Sequence, residues 1–145
     1  MPFFVDTSAL FKRYQVEAGT AKINELLENA RGDLFISSLT IIEVISNLKR
    51  LFEIDHLTTE EHFREQRLFF YHDIENLGVT ALDITAEDII RADELILKRY
   101  MKPVDAVQLA VAINNFSDRP TFVSADQKLC DIAKSEGIPV INPAA

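Results

Sequence analysis

Four acidic residues are the side chains of this 145-residue chain whose types and positions point to chemistry. Asp6 directly follows the apolar run Phe3–Val5, and Glu43 lies about one turn into a predicted helix. Asp105 opens a strongly apolar helix, and Asp126 closely follows another apolar run. Carboxylate oxygens are the ligands that Mg²⁺ and Mn²⁺ prefer in proteins, and such ions activate a water and stabilise the leaving oxygen of a phosphodiester. If the four acids meet, the sequence therefore predicts a divalent-metal site suited to phosphodiester hydrolysis.

Each of these acids also has a purely structural interpretation, as a helix cap or as a first-turn acid. The structural alternatives are Asp6 as the cap of a helix starting near Ser8, Glu43 in a capping box with Thr40, Asp105 in the first turn of its helix, and Asp126 beside the capping box Ser124–Gln127. Spacing alone does not decide between the two interpretations for any single acid. Their joint prediction at one edge of a sheet favours a functional site.

Short apolar runs alternate along the chain with longer segments of helical spacing. The runs predicted as strands are Phe3–Val5, Leu34–Ile36, Val79–Leu82, Thr121–Val123 and Ile138–Ile141. Gly32, Gly78 and Gly137 precede three of them, as expected of left-handed residues that end helices. A capping box at Thr58–Glu61 predicts a helix that runs to about Leu77. Strands alternating with helices imply a mostly parallel sheet covered on both faces, whose strands end at one common edge where ligands bind.

Composition narrows the class of protein. The chain is 48% hydrophobic, carries a net charge of -8 and has one cysteine, Cys130, so neither an internal disulfide nor a cysteine zinc cluster is possible. The acidic balance argues against a high-affinity, sequence-independent nucleic-acid binder, but bound cations can reverse the local field of an enzyme site. Asp6 interrupts the first apolar run, and no run approaches the roughly 18–20 residues of a membrane span. We therefore expect a cytoplasmic protein without a membrane segment.

Four segments, in this order and spanning nearly the whole chain, resemble those of PIN-domain ribonucleases, and the likeness is strongest to the VapC-type toxins of toxin–antitoxin pairs. The segments are FFVDTSAL at Phe3–Leu10, SLTIIE at Ser38–Glu43, PVDAVQLA at Pro103–Ala110 and FVSADQKL at Phe122–Leu129. The resemblance implies a single three-layer α/β/α PIN-like domain over residues 1–145, with a central parallel five-stranded sheet. It also implies a Mg²⁺- or Mn²⁺-dependent endoribonuclease, an RNA substrate, a cognate antitoxin protein and a homodimer.

The resemblance also assigns roles to individual residues. It places the metal ligands and catalytic acids at Asp6, Glu43, Asp105 and Asp126, with Glu43 completing the ligand set or orienting the attacking water. In-line attack on phosphorus would leave a 5′ phosphate and a 3′ hydroxyl. The hydroxyl residues of the family's site fall on Thr7 or Ser8 near the first acid, and on Ser124. We treat all three as substrate-binding candidates.

Lys12 and Arg13, shortly after the first acid, are candidates to contact substrate phosphates, together with Lys98, Arg99 and Lys102 before Asp105. Ordinary solvated charges are an equally good interpretation of all five.

Several other classes of protein are alternatives to a toxin nuclease. A housekeeping RNA-processing PIN nuclease and a catalytically inactive PIN-fold interaction module both stay open. A receiver domain or a haloacid-dehalogenase-type phosphatase needs a second acid near Asp6, where the chain has Thr7 and Ser8. No glycine-rich phosphate loop supports a nucleotide-binding enzyme.

Overall fold

A computed structural model describes all 145 residues and contains five strands and seven α-helices. The strands are β1 (Phe3–Val5), β2 (Leu34–Ser37), β3 (Val79–Leu82), β4 (Thr121–Val123) and β5 (Val140–Ile141). The helices are α1 (Thr7–Leu10), α2 (Thr20–Asn29), α3 (Ser38–Glu53), α4 (Glu60–Asn76), α5 (Ala86–Lys98), α6 (Pro103–Asn114) and α7 (Gln127–Ser135), with a 3₁₀ turn at Phe11–Arg13.

The strands form one parallel sheet in the order β3-β2-β1-β4-β5. The chain builds outward from β1 in one direction through β2 and β3, and then returns to the other side of β1 to add β4 and β5. The strand order therefore reverses between β1 and β4, and such a reversal opens a crevice beyond the carboxyl ends of the two strands. Val5 pairs with Val123 in this register, so the residues that follow them enter the crevice side by side.

Two apolar cores, one on each face of the sheet, show the three-layer α/β/α arrangement. One core joins Val5, Leu34 and Val123 to apolar residues from α1 to α4. The other joins Phe4 and Phe122, whose rings stack with centroids 5.8 Å apart, to residues from α5 to α7. Alternate residues of β1 and β4 thus point to opposite faces, as the pleat requires. The predicted fold class is confirmed.

The local signals fix most element boundaries, although β2 extends one residue further than predicted, to Ser37, and α4 and β5 begin at other residues than predicted. Gly32, Gly78 and Gly137 have φ of 83°, 65° and 81°, so each takes the left-handed conformation expected after a helix. The N-cap of α4 is Thr59 rather than Thr58, and its hydroxyl accepts from the N–H of His62. Strand β5 begins at Val140, two residues later than predicted, because the N–H of Ile138 closes α7 on Ala133 and Pro139 has no N–H to donate.

None of the helices combines the length and the apolar character that crossing a membrane requires.

Candidate active site

Asp6 lies at the reversal point of the sheet, directly after β1. Its backbone N–H continues the β1–β4 ladder by donating to Val123 O at 2.8 Å, and its side chain is only 5% exposed. It occupies the N-cap position of α1, but its carboxylate accepts no hydrogen bond from a backbone N–H of that helix. The predicted capping role is therefore wrong, and the carboxylate is directed to other partners.

Two serine hydroxyls hold Asp6 in place. Ser8 and Ser124 donate to Asp6 Oδ2 at 2.6 and 3.0 Å. Ser8 Oγ accepts the N–H of Ala125, and Ser124 Oγ accepts the N–H of Asp126. Because a hydroxyl has one proton to donate, both serine protons are used on Asp6 and both serine oxygens on the β4–α7 backbone. The two serines therefore fasten the end of β1 to the turn after β4.

Burial makes Asp6 harder to ionise than an ordinary aspartate. The pKa of Asp6 is raised from 3.8 to about 6, chiefly by desolvation and also by the negative charges of Asp105 and Glu43, although the hydrogen bonds from Ser8 and Ser124 lower it. Charges act in this way only over short distances in a protein. Acids that are far apart in sequence are thus neighbours of Asp6 in the fold.

Glu43 is held by a second set of polar side chains, next to the first. Thr7 Oγ1 donates to Glu43 Oε1 at 2.7 Å, and Gln108 Nε2 donates to the same oxygen at 3.1 Å. Gln108 Nε2 also reaches Thr40 Oγ1 at 2.7 Å and Thr7 Oγ1 at 3.3 Å. Thr7, Thr40 and Gln108 are all buried, so this network fixes one oxygen of Glu43 and joins α1, α3 and α6 beneath the site.

Asp105 and Asp126 line a cavity of about 200 Å³ at the same edge of the sheet. The pKa of Asp105 lies above its usual value of 3.8, because burial and the charge of Asp126 raise it by more than the charge of Lys102 lowers it. Asp126 is the N-cap of α7, where its Oδ1 accepts the N–H of Leu129 at 3.1 Å. The cap is therefore Asp126 itself, and the capping box predicted at Ser124–Gln127 is wrong.

The structural alternative for Glu43 was a capping box with Thr40. Helix α3 begins at Ser38 after an N-cap at Ser37, so Thr40 lies inside the helix and the predicted capping box is wrong. Asp105 does lie in the first turn of α6, as the structural interpretation expected.

The donor chemistry of this edge fits a hard divalent ion, because all four acids supply oxygen and their charges repel one another. Three of them use one oxygen within the protein, which leaves the second oxygen without a hydrogen bond: Asp6 Oδ1, Glu43 Oε2 and Asp126 Oδ2. No group of three or more acidic, histidine or cysteine side chains lies close enough to hold one metal ion. The acids are thus gathered at one edge, with their side chains apart.

Lys12 and Arg13 are directed to carboxylates outside this cluster. Lys12 is buried, and its Nζ lies 3.0 Å from Glu17 Oε1. Arg13 donates to both oxygens of Asp73, at 2.7 and 3.2 Å, and Tyr14 adds a 2.6 Å hydrogen bond to the same carboxylate. These contacts tie the start of the chain to α2 and α4, and they give the predicted phosphate contacts no support.

Sequence reasoning missed two contributors to the site, Gln108 and Thr40. A signal existed for Gln108, since it is a polar residue within the apolar stretch Ala106–Ala112, one turn after Asp105. A buried polar group on such a helix needs a partner, and Glu43 and the threonines provide it. For Thr40 the only signal in the sequence was the predicted capping box with Glu43, which the structure does not form.

Comparison with known proteins gives one family. The model of the PIN domain family matches residues 3–135, whereas no curated protein matches the chain. Among solved structures, a toxin–antitoxin complex from Klebsiella pneumoniae superposes with a TM-score of 0.68 at 20% identity, over 99% of this chain and 98% of that one. At this identity the likeness concerns the fold alone.

Proposed function

The chain belongs to the PIN domain family, whose members are generally nucleases, and on this premise we propose that it is a Mg²⁺- or Mn²⁺-dependent endoribonuclease. The observation that carries the proposal is the convergence of Asp6, Glu43, Asp105 and Asp126 at the sheet's reversal point, where burial and the neighbouring negative charges raise the pKa of Asp6 and of Asp105. Uncompensated negative charge at a partly buried site is costly. A divalent cation is the species that removes this cost with oxygen ligands.

In this proposal the four acids hold the ion through the oxygens that the protein leaves unengaged, after side-chain rotations bring those oxygens closer together than the structure has them. A divalent ion so bound supplies Lewis acidity toward a phosphodiester and a water of lowered pKa. The chain's own part is to keep those oxygens in place: Ser8 and Ser124 fix Asp6, while Thr7 and Gln108 fix Glu43. Glu43, whose Oε2 makes no hydrogen bond, would either complete the ligand set through this oxygen or accept a hydrogen bond from the attacking water. Thr7, Ser8 and Ser124 serve in this scheme as positioning residues.

Cleavage of a generic RNA by the purified chain tests the proposal. Wild-type protein, Asp6→Asn and Asp33→Asn are compared during titration with Mn²⁺. Asp33 is a matched control, because it is an exposed aspartate just before β2, at the opposite edge of the same sheet. We expect cleavage with 5′-phosphate ends from wild type and Asp33→Asn, and none from Asp6→Asn.

Two results would contradict the nuclease proposal. One is equal cleavage by wild type and Asp6→Asn at equal protein and metal. The other is no cleavage together with no Mn²⁺ binding by wild type, which would identify an inactive interaction module.

We further propose that the nuclease is the toxin of a type II toxin–antitoxin pair. Support comes from the whole-chain fold likeness to the toxin–antitoxin complex and from the VapC-like motifs. Expression of this chain alone should arrest growth and fragment RNA, and Asp6→Asn should do neither. An antitoxin reading frame next to the gene, whose product reverses the arrest, would complete the test. RNA cleavage without growth arrest would favour a housekeeping nuclease.

A homodimer is the remaining part of the proposal. Ile89, Ile96, Pro103 and Val107 line an apolar depression of about 310 Å³ between α5 and α6, and Ile89 is 51% exposed. Such a face is suited to burial against a second copy. Ile89→Lys should sediment as a monomer, while Ile54→Lys, at a position that is 65% exposed at the end of α3, should leave the dimer intact. A wild-type monomer at every concentration would refute this part.

A further inference from the structure

The cavity of about 200 Å³ beside Asp105 and Asp126 is also lined by residues other than the four acids. Its other lining residues are Tyr100, Met101 and Lys102, just before α6, and Lys128, Leu129 and Ile132 of α7. Because two of the four acids form one wall, a group bound in the cavity would lie next to a phosphate held at the acids. The cavity is smaller than the roughly 300–1,000 Å³ typical of sites for drug-sized molecules, so it suits a group of the size of one base.

Tyr100 gives the cavity an aromatic face. The side chain is 71% exposed, which is unusual for a large aromatic ring, and its hydroxyl makes no hydrogen bond. Lys128 Nζ lies 5.6 Å from the ring centroid. A cation at this distance favours one orientation of the ring, and an exposed ring held at the mouth of a cavity is a stacking surface.

Two lysines give the same cavity unpaired positive charge. Neither Lys102 nor Lys128 forms a salt bridge, although the chain has an excess of eight acids. Both nevertheless line the cavity together with Asp105 and Asp126. Lys98 and Arg99, by contrast, are neutralised by Glu136. Free cations at the border of an acidic site are suited to phosphates that flank a cleaved bond.

We propose that this cavity is a nucleotide subsite, in which one unpaired base of single-stranded RNA stacks on Tyr100 while Lys102 and Lys128 contact the adjoining phosphates. The inference rests on the proposed nuclease function and adds the residues that contact one nucleotide of the substrate. The other residues that line the cavity are apolar and form no hydrogen bonds with the edge of a base: Met101, Leu129 and Ile132. Stacking on Tyr100 therefore does not depend on which base is bound. A base inside a duplex is already stacked between its neighbours and cannot reach the ring.

Binding of a short, fluorescently labelled single-stranded RNA of mixed sequence tests the subsite. All measurements use the Asp6→Asn background, so that nothing is cleaved, and follow fluorescence anisotropy. Tyr100→Ala should weaken binding about tenfold, the effect of losing one stacked base, and Tyr100→Phe should stay within about twofold of the parent because the stacking face is kept. Lys128→Ala should weaken binding and reduce its dependence on salt. The corresponding duplex should bind with the same affinity to the parent and to Tyr100→Ala.

Tyr71→Ala is the matched control. Tyr71 is also an exposed tyrosine, 39% accessible, with the guanidinium of Arg67 5.1 Å from its ring, but it lies on α4 and lines no cavity with the acids. Its removal should leave RNA affinity within about twofold of the parent, since no base stacks there.

Three outcomes would overturn the subsite. The first is unchanged RNA affinity in Tyr100→Ala. The second is an equal loss of affinity in Tyr100→Phe and Tyr100→Ala. The third is a loss of affinity in Tyr100→Ala that accompanies a change in sedimentation, which would assign Tyr100 to a contact between copies of the chain. None of these affects cleavage by the wild-type protein, so they leave the nuclease proposal standing. Failure of the nuclease proposal is separate, because it is read as absence of cleavage by wild type with Mn²⁺.

Discussion

Ser124 Oγ donates a 3.0 Å hydrogen bond to Asp6 Oδ2, although the two residues are 118 positions apart in the chain. The bond exists because β1 and β4 are neighbours in the sheet and Val5 pairs with Val123. Ser124 also accepts the N–H of Asp126 at 3.1 Å. One hydroxyl thus fixes the distance between two of the four acids.

Replacing Ser124 with alanine should lower the rate of RNA cleavage about 10- to 100-fold, the usual effect of removing a group that orients a metal ligand. The Mn²⁺ concentration for half-maximal activity should rise, because Asp6 is then held by Ser8 alone. Ser46→Ala, an exposed position on α3, is the control and should match wild type. Steady-state cleavage over a Mn²⁺ series measures both effects, and an unchanged metal requirement would remove Ser124 from this role.

Replacing Asp6 with asparagine should stabilise the metal-free protein at high pH. The pKa of Asp6 is raised from 3.8 to about 6, so the folded chain holds the proton more tightly than the unfolded chain. The free energy of unfolding then falls as pH rises from about 4 to 6, and the full cost, on the order of 3 kcal/mol for a shift of this size, is present above pH 6. Asparagine has no charge and therefore avoids this cost, and its side-chain oxygen can still accept hydrogen bonds from the two serines.

Denaturant unfolding of wild type and Asp6→Asn in a chelator, at pH 4 and pH 8, measures the effect. The stability advantage of the variant should be large at pH 8 and nearly absent at pH 4. An equal difference at both values would show that Asp6 titrates as an ordinary aspartate.

The pH dependence of cleavage should respond to metal concentration. Asp6 must lose its proton before it can bind a cation, and burial and neighbouring acids place its pKa at about 6. Activity at limiting Mn²⁺ should therefore rise as pH increases through about 6. Because metal and proton compete for the carboxylate, the midpoint should move to lower pH as Mn²⁺ is increased. A midpoint that is independent of Mn²⁺ would assign the titration to another group.

Replacing Gln108 with methionine should weaken both stability and activity. The change keeps the volume of a buried side chain but removes the donor to Glu43, Thr7 and Thr40. Loss of a partner for buried polar groups costs about 1–3 kcal/mol, and Glu43 loses part of its positioning. Gln127→Met, at an exposed site, is the control. Unfolding and cleavage measured on the same samples should both change; loss of stability with full activity would limit Gln108 to a structural role.

Replacing Asp73 with asparagine should destabilise the protein without affecting catalysis. Arg13 and Tyr14 converge on this buried carboxylate, and hydrogen bonding to Asp73 raises the pKa of Arg13 while burial and Asp73 raise that of Tyr14. Removing one charge of a buried pair costs roughly 3–5 kcal/mol. Glu60→Gln, an exposed partner of Arg64, should cost less than about 1 kcal/mol.

Measurements of stability and of RNA cleavage also decide the role of Arg13. If the arginine is structural, Arg13→Gln should lower the unfolding temperature and leave the KM for RNA unchanged below that temperature. A raised KM with unchanged stability would return Arg13 to the substrate-binding group.

Much of the architecture was predictable from local signals alone. Gly137 marks the end of α7 and Phe3–Val5 reads as a strand, because backbone conformation depends on residues a few positions apart. The parallel sheet followed from the alternation of such elements, and it placed Asp6, Glu43, Asp105 and Asp126 at one edge before any contact was known.

Only the tertiary structure decided which partners these side chains have. Arg13 could not be assigned to Asp73, nor Gln108 to Glu43, because a hydrogen-bond partner is chosen by distance in space, and residues 60 or more positions apart carry no common local pattern. For the same reason the capping signals at Thr40 and Ser124 misled, since they describe what a hydroxyl can do within one helix and not which carboxylate the fold brings beside it. The order of the strands set those neighbours, and with them the raised pKa of Asp6.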